Sequence, residues 1–207
     1  MRSTISVRTR RLLQGVWLGY AIFWGWMAIR PLNRTDWLLE NLLVFAVVAA
    51  LAASYRKLLL SGASYLSIAL FLTLHTWGSH YSYNATPLGS WLQEWWGLER
   101  NPYDRLVHLA YGLLFAYPVW ELVCAWIKPS PRWSYGIAVM AILATGAFYE
   151  LIEMWVVLLA APELGMLFLG SQGDPWDAHH DMELETLGAA VIMAIAALRH
   201  KLSPSSS

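Results

Sequence analysis

Cysteine is almost missing from this chain: Cys124 stands alone among 207 residues, so neither an internal disulfide nor a multi-cysteine metal site can form. Charge is scarce as well. Lys, Arg, Asp and Glu together make up 14% of the residues and the formal net charge is zero. That excludes the basic face of a nucleic-acid-binding protein and is too little charge for an ordinary soluble domain of this length. No internal repeat and no separate polar domain interrupt the sequence. It also contains no His-Glu-x-x-His and no calcium-loop pattern. The first apolar run is followed by no small-x-small cleavage site, so it reads as a retained helix rather than a signal.

What fills the chain is apolar and aromatic: 57% hydrophobic residues, thirteen Trp and ten Tyr, with a mean hydropathy of +0.43. Amphipathic rings gather where helices leave hydrocarbon for headgroups, so a bilayer is the natural solvent. Apolar runs of bilayer-crossing length fall at about 12–29, 37–55, 58–77, 104–127, 133–160 and 182–198. The expected architecture is all-α, a single polytopic membrane helix bundle with about six transmembrane helices over 1–207 and a disordered tail at 203–207. Between the third and fourth runs, Leu88, Trp91, Leu92, Trp95 and Trp96 recur at helical spacing opposite Ser90, Gln93 and Glu94, which predicts a short interfacial helix. The run 164–169 is too short to span and reads as a second interfacial piece. Between runs the punctuation is clear: Arg30-Pro31-Leu32-Asn33-Arg34, Arg56-Lys57, Lys128-Pro129-Ser130-Pro131-Arg132, and the Gly- and Asp-rich stretch from Gly170 to Asp177.

Basic residues orient the bundle. With both termini cytoplasmic, Arg2, Arg8, Arg10, Arg11, Arg56, Lys57, Lys128, Arg132, Arg199 and Lys201 lie inside, leaving Arg30, Arg34, Arg100 and Arg105 outside. Acidic residues run the other way, and Glu121 alone departs from their outer distribution. Counting about 1.5 Å of rise per residue from the basic ends puts His75 roughly 27 Å up, His108 roughly 30 Å, Glu150 and Asp181 roughly 27 Å, Glu40 roughly 24 Å and Glu185 roughly 21 Å. Five helices thus bring ionisable groups to one layer near the outer edge of the hydrocarbon core. Such groups are costly against lipid, so they are expected to share a pocket.

Spacing refines that pocket. Asp104 and His108 are four apart on one helix face, as two ligands or as an acid orienting an imidazole; Glu150 and Glu153 are three apart; Asp177, Asp181 and Glu185 form a stripe. So many like charges need a cation, pairing with Arg100 and Arg105, or bound protons. A mixed histidine and carboxylate set suits zinc, manganese, iron or nickel; oxygen ligands alone suit calcium or magnesium. The cofactor expected is accordingly a divalent metal such as zinc, on ligands drawn from His75, His80, Asp104, His108, Asp177 and Asp181. Glu150 and Glu153 are the candidate catalytic carboxylates, and Arg105, Asp174 and Glu185 complete the pocket.

The strings Leu74-His75, Gly78-Ser79-His80-Tyr81-Ser82-Tyr83, Tyr103-Asp104-Arg105-Leu106-Val107-His108, Tyr149-Glu150-Leu151-Ile152-Glu153 and Gly170-Ser171-Gln172-Gly173-Asp174-Pro175-Trp176-Asp177, then Asp181-Met182, resemble the YjdF family of bacterial inner-membrane proteins over most of the chain. The resemblance implies a multi-pass inner-membrane protein and carries no reaction with it. Where that pattern has Gln and an aromatic or small residue, this chain has His179 and His180, which are therefore left out of the site. A shorter similarity, through Asp104, His108, Glu150, Asp177, Asp181 and Gly188, runs to VanZ-like membrane proteins and implies a role near envelope lipids or glycopeptides.

Three functions fit these residues. The first is a metal-dependent hydrolase or transferase acting on an envelope lipid, with a bilayer around it and no nucleic acid among its partners. The second is a non-catalytic factor that binds an envelope lipid or a partner protein, its polar layer a hydrogen-bond network. The third is a proton- or cation-coupled transporter, which the lack of a repeat or a broken-helix pair disfavours.

Overall fold

A computed structural model describes residues 6–54, 60–159 and 172–202. Arg2, the Arg56-Lys57 pair, Glu163, the 164–169 run, Gly170, Ser171 and the 203–207 tail lie outside the described residues. Among those described there are seven helices and no strand: α1 (Val7–Met27), α2 (Arg34–Ser54), α3 (Gly62–His80), α4 (Pro87–Trp96), α5 (Tyr103–Trp126), α6 (Pro131–Leu159) and α7 (Asp177–Leu202).

The helix starts are written locally. Ser6 and Ser61 cap α1 and α3 by accepting from the amides of Thr9 and Ser64, and Asn33 Oδ1 accepts from the amides of Thr35 and Asp36 at the head of α2. Pro87 and Pro131 open α4 and α6, where a missing N–H costs nothing. Gly97 closes α4 in the left-handed conformation at φ 63°.

α5 is the central helix, packed on α3, α6 and α7, while α1 and α2 pack on α3. One buried cluster joins Leu13 and Tyr20 of α1 to Ile68, Phe71 and Leu72 of α3 and Val107 of α5. A second, made of Ala116, Ala138, Ile142, Ala189 and Met193, joins α5, α6 and α7. Its small side chains let backbones approach closely. A Cβ on Gly112 would land on the Glu185 carbonyl, and one on Gly188 would come within 2.6 Å of the Leu109 carbonyl. This is the small-residue packing that holds helices together where no hydrophobic effect operates between them.

By length and composition alone, α2, α5 and α6 are long and apolar enough to cross a membrane. α1, α3 and α7 match them in length at 21, 19 and 26 residues. Leu18, Ile22, Leu42, Leu158 and Leu187 all point away from the protein, uncovered by it. A helical bundle with an apolar exterior is a membrane bundle, as the composition predicts.

Glu121, the acid on the wrong side, has a local task. Its Oε2 accepts from the Ser61 amide at 2.9 Å and from the Ser64 hydroxyl at 2.8 Å, so α5 closes the open amino end of α3. Replacing it with alanine is expected to lower stability by about 1 kcal/mol, the scale of a lost helix cap. Thermal unfolding in detergent checks this, and an unshifted transition would show that the cap is not needed.

Candidate functional site

The end of the bundle that holds the α1–α2, α3–α4 and α4–α5 connections is where the acids collect. The α5–α7 crossing sets its centre. Gly112 and Gly188 bring the two backbones together, His108 lies one turn before Gly112, and Glu185 one turn before Gly188. The imidazole and carboxylate therefore face each other: His108 Nδ1 is 2.8 Å from Glu185 Oε1. Gly146 of α6 makes the room, since a Cβ there would collide with the Glu185 carboxylate.

With Nδ1 held by Glu185, His108 turns Nε2 toward Asp104 Oδ1 at 3.5 Å and Glu150 Oε1 at 3.9 Å. Asp181 completes the group: Asp104, His108 and Asp181 each offer one ligand atom, all within 4.8 Å of one another. Oδ1 of Asp181, Oε1 of Glu150 and Oε2 of Glu185 are buried acceptors without a hydrogen-bond partner. Buried acceptors are normally satisfied, so this concentration of orphaned oxygens at one place calls for something electropositive.

His75 is placed differently. Its Nε2 donates to the Glu40 carbonyl at 3.1 Å, which fixes the tautomer, and its Nδ1 accepts from the Tyr83 hydroxyl at 2.5 Å. Both ring nitrogens are engaged within the protein. Tyr83 adopts φ 52°, and its ring packs over Gly78, where any Cβ would strike it. His80 stands apart, donating from Nδ1 to the Met27 carbonyl at 2.7 Å and tying α3 to α1. His179 and His180 are exposed.

Arg100 and Arg105 close the end of the site. Arg100 pairs with Asp177 and lies 3.7 Å from Asp174 and 3.8 Å from Asp104; Arg105 pairs with Asp174 and lies 3.9 Å from Asp177. Asp177 thus belongs to this arginine layer and not to the His108 group. The Trp176 amide, donating to Asp174, and the neighbouring Arg105 hold the Asp174 carboxyl below its ordinary value, so it stays anionic. The layer is anchored from below. Gln172 exchanges two hydrogen bonds of 3.0 Å with the backbone of Asn101, and Asn101 Nδ2 donates to the Thr86 carbonyl at 3.2 Å.

Beneath the acids lies a cavity of about 290 Å³. Its upper wall is polar, with Asp36, Glu40, His75, Tyr83, Asp104, His108, Tyr149, Glu153 and Glu185. Its apolar lining is Leu43, Val47, Phe71, Phe115 and Phe148 below the acids, with Val107 and Ile152 at the level of the acids themselves. Tyr149 donates to Glu40 Oε2 at 2.9 Å across the cavity. Glu153 is buried and lines the cavity, which Glu150 does not, so the two catalytic candidates take different places in the site: Glu150 toward His108, Glu153 on the cavity wall. Asp36, Tyr83 and Tyr149 are site residues the sequence reasoning missed. Asp36 and Glu40 are four apart on α2, the same spacing that singled out Asp104 and His108, so a signal for Asp36 was there.

The helices and this site define a class: a polytopic membrane bundle with a histidine and carboxylate group buried at one end. The chain belongs to the family described as Predicted membrane protein (DUF2238), whose profile matches residues 12–202. It is 37% identical over 169 residues to Inner membrane protein YjdF of Escherichia coli (strain K12), covering 81% of this chain and 80% of that protein. No solved structure matches it significantly. The resemblance read from the motifs is therefore correct, and the chain is a multi-pass inner-membrane protein.

Proposed function

We propose that Asp104, His108 and Asp181 hold a divalent cation such as zinc, and that the protein is a metal-dependent hydrolase or transferase acting on an envelope lipid at the periplasmic edge of the bilayer. The observation that carries this reading is the two-sided engagement of His108. A histidine ligand commonly gives its other ring nitrogen to a carboxylate, which fixes its tautomer and orientation; Glu185 occupies that place here, 2.8 Å from Nδ1. A cation at this point would supply Lewis acidity and a water of lowered pKa. Glu150, with an unpartnered buried oxygen beside His108 Nε2, is positioned to take the proton of an attacking water.

Orientation follows from charge. The amino end of α1, the α5–α6 connection and the carboxyl end of α7 meet at the opposite end of the bundle, where Thr9 packs on Gly62 and Tyr135 bonds His200. Arg8, Arg10, Arg11, Lys128, Arg132, Arg199 and Lys201 lie toward that end, which supports reading it as cytoplasmic, with both termini on that side.

Metal analysis of detergent-purified protein tests the reading, wild type beside His108→Ala and Asp181→Asn. Stoichiometric metal in the wild type and its loss in both variants is the expected result. A wild type that stays metal-free after reloading would overturn it, leaving the cluster as a proton-bearing hydrogen-bond network.

A further inference from the structure

The cavity, which Asp104, His108 and Glu185 help to line, extends from the His108 group into hydrocarbon and differs from it in access. From the water side the site lies under the Arg100 and Arg105 layer with Asp174 and Asp177. From the bilayer it is less guarded. α2 packs on α3, and α6 packs on α5 and α7, so α2 and α6 stand on either side of a seam. On α6, Thr145, Phe148 and Ile152 follow one stripe, line the cavity and are also exposed on the outer surface. On α2, Leu43 and Val47 line the same cavity and are half-buried. The hydrocarbon part of the cavity thus reaches the lipid-facing surface along this seam, and the Tyr149 to Glu40 hydrogen bond bridges it at the polar level.

At that polar level the acids of α2 await a partner. Asp36 is 1% exposed and lines the cavity; the Ser82 hydroxyl is beside it, but neither carboxylate oxygen has a partner at hydrogen-bond distance and angle. Glu40, four residues on, is 3% exposed and turns one oxygen to Tyr149. A buried carboxylate pair with vacant lone pairs is matched by a cation that donates hydrogen bonds. Arg100 and Arg105 pair with acids of the roof, and among the described residues no cationic side chain pairs with Asp36.

We propose that the cavity takes one chain of an amine-bearing phospholipid entering between α2 and α6, with its primary ammonium on Asp36 and Glu40 and its phosphate toward the His108 group. The placement of the phosphate rests on the metal reading above; the ammonium and the chain do not. At about 290 Å³ the cavity sits at the small end of ligand sites, roughly 300–1,000 Å³, which suits part of a headgroup and the upper carbons of one chain, the rest of the chain lying in the bilayer beyond the seam. A primary ammonium supplies three N–H donors to the orphaned oxygens, whereas a choline group supplies none and a glycerol headgroup lacks the charge.

The test is lipid retention by native mass spectrometry of the full chain in detergent, offered equal amounts of phosphatidylethanolamine, phosphatidylcholine and phosphatidylglycerol, with metal measured on the same samples. Wild type should retain phosphatidylethanolamine at least tenfold over the other two. Asp36→Asn should lose that preference, and Val47→Trp, which fills the hydrocarbon wall, should lose retention altogether, both with monodisperse elution. A photoreactive acyl chain on phosphatidylethanolamine should label Leu43, Val47, Phe148 or Ile152. Equal retention of phosphatidylglycerol, or label confined to other helices, overturns the proposal even if metal is bound. Selective retention by a metal-free wild type would uphold it and sink the enzyme reading alone.

Discussion

A Gly112→Leu chain should melt well below the wild type in detergent and lose, with its fold, the cation proposed at Asp104, His108 and Asp181. The α5–α7 crossing has no slack: a Cβ at Gly112 lands on the Glu185 carbonyl, and Gly188 faces the Leu109 carbonyl and the Leu113 amide from the other helix. Both obstacles are backbone, which cannot rotate aside as a side chain can. Overpacking a tight contact costs about 1–3 kcal/mol, and a backbone contact belongs at the upper end. For a chain of this size that corresponds to roughly 5–10 °C in melting temperature. Gly136→Leu is the control, since nothing lies within 4 Å of a Cβ there, and it should melt with the wild type. Equal melting of both variants would mean that the helices are not held by this crossing.

Glu185→Gln should weaken metal binding about 10–100-fold without removing a ligand, the usual effect of losing a carboxylate behind a histidine ligand. The amide still fits beside Gly146 and can still accept from His108 Nδ1. What it lacks is the negative charge that makes the imidazole a better donor to the cation. Competition against a chelator reads the affinity directly. Glu183→Gln, two residues away with its side chain 77% exposed, should leave it unchanged. Unaltered affinity in Glu185→Gln would reduce Glu185 to a structural hydrogen-bond partner.

The helices were legible because a bilayer leaves little choice. Long apolar runs between Arg30-Pro31 and Lys128-Pro129 style breaks fold as helices since every backbone group needs an internal partner in hydrocarbon. The gathering of acids at one end was legible by counting turns from the basic ends; His108 and Asp181 came from that count, and Asp104 from its four-residue spacing to His108. What the count could not separate was rotation about each helix axis. His75 and His108 stand at the same level, yet one has both nitrogens occupied by Glu40 and Tyr83 and the other turns Nε2 to Asp104 and Glu150. Tyr83 could not be foreseen as a partner, because it reaches His75 only through the left-handed turn after α3. Nor does the sequence say that Gly112, Gly146 and Gly188 carve the space for Glu185; fourteen glycines look alike until the neighbours are known.

The short helix α4 has a mechanical consequence. Leu92 and Gly89 are buried, Asn101 locks the helix to the head of α5, and Trp91, Trp95 and Trp96 stack on one another along its open face. A rigid aromatic plank lying at the headgroup level works as a float. The opposite end of the bundle is held by long basic side chains, each free to stretch or fold back. In a membrane thicker or thinner than the bundle, the mismatch is therefore taken up at the far end. The waterline at α4 is then expected to stay fixed, with the His108 group at a constant draught beneath it across lipids of different thickness.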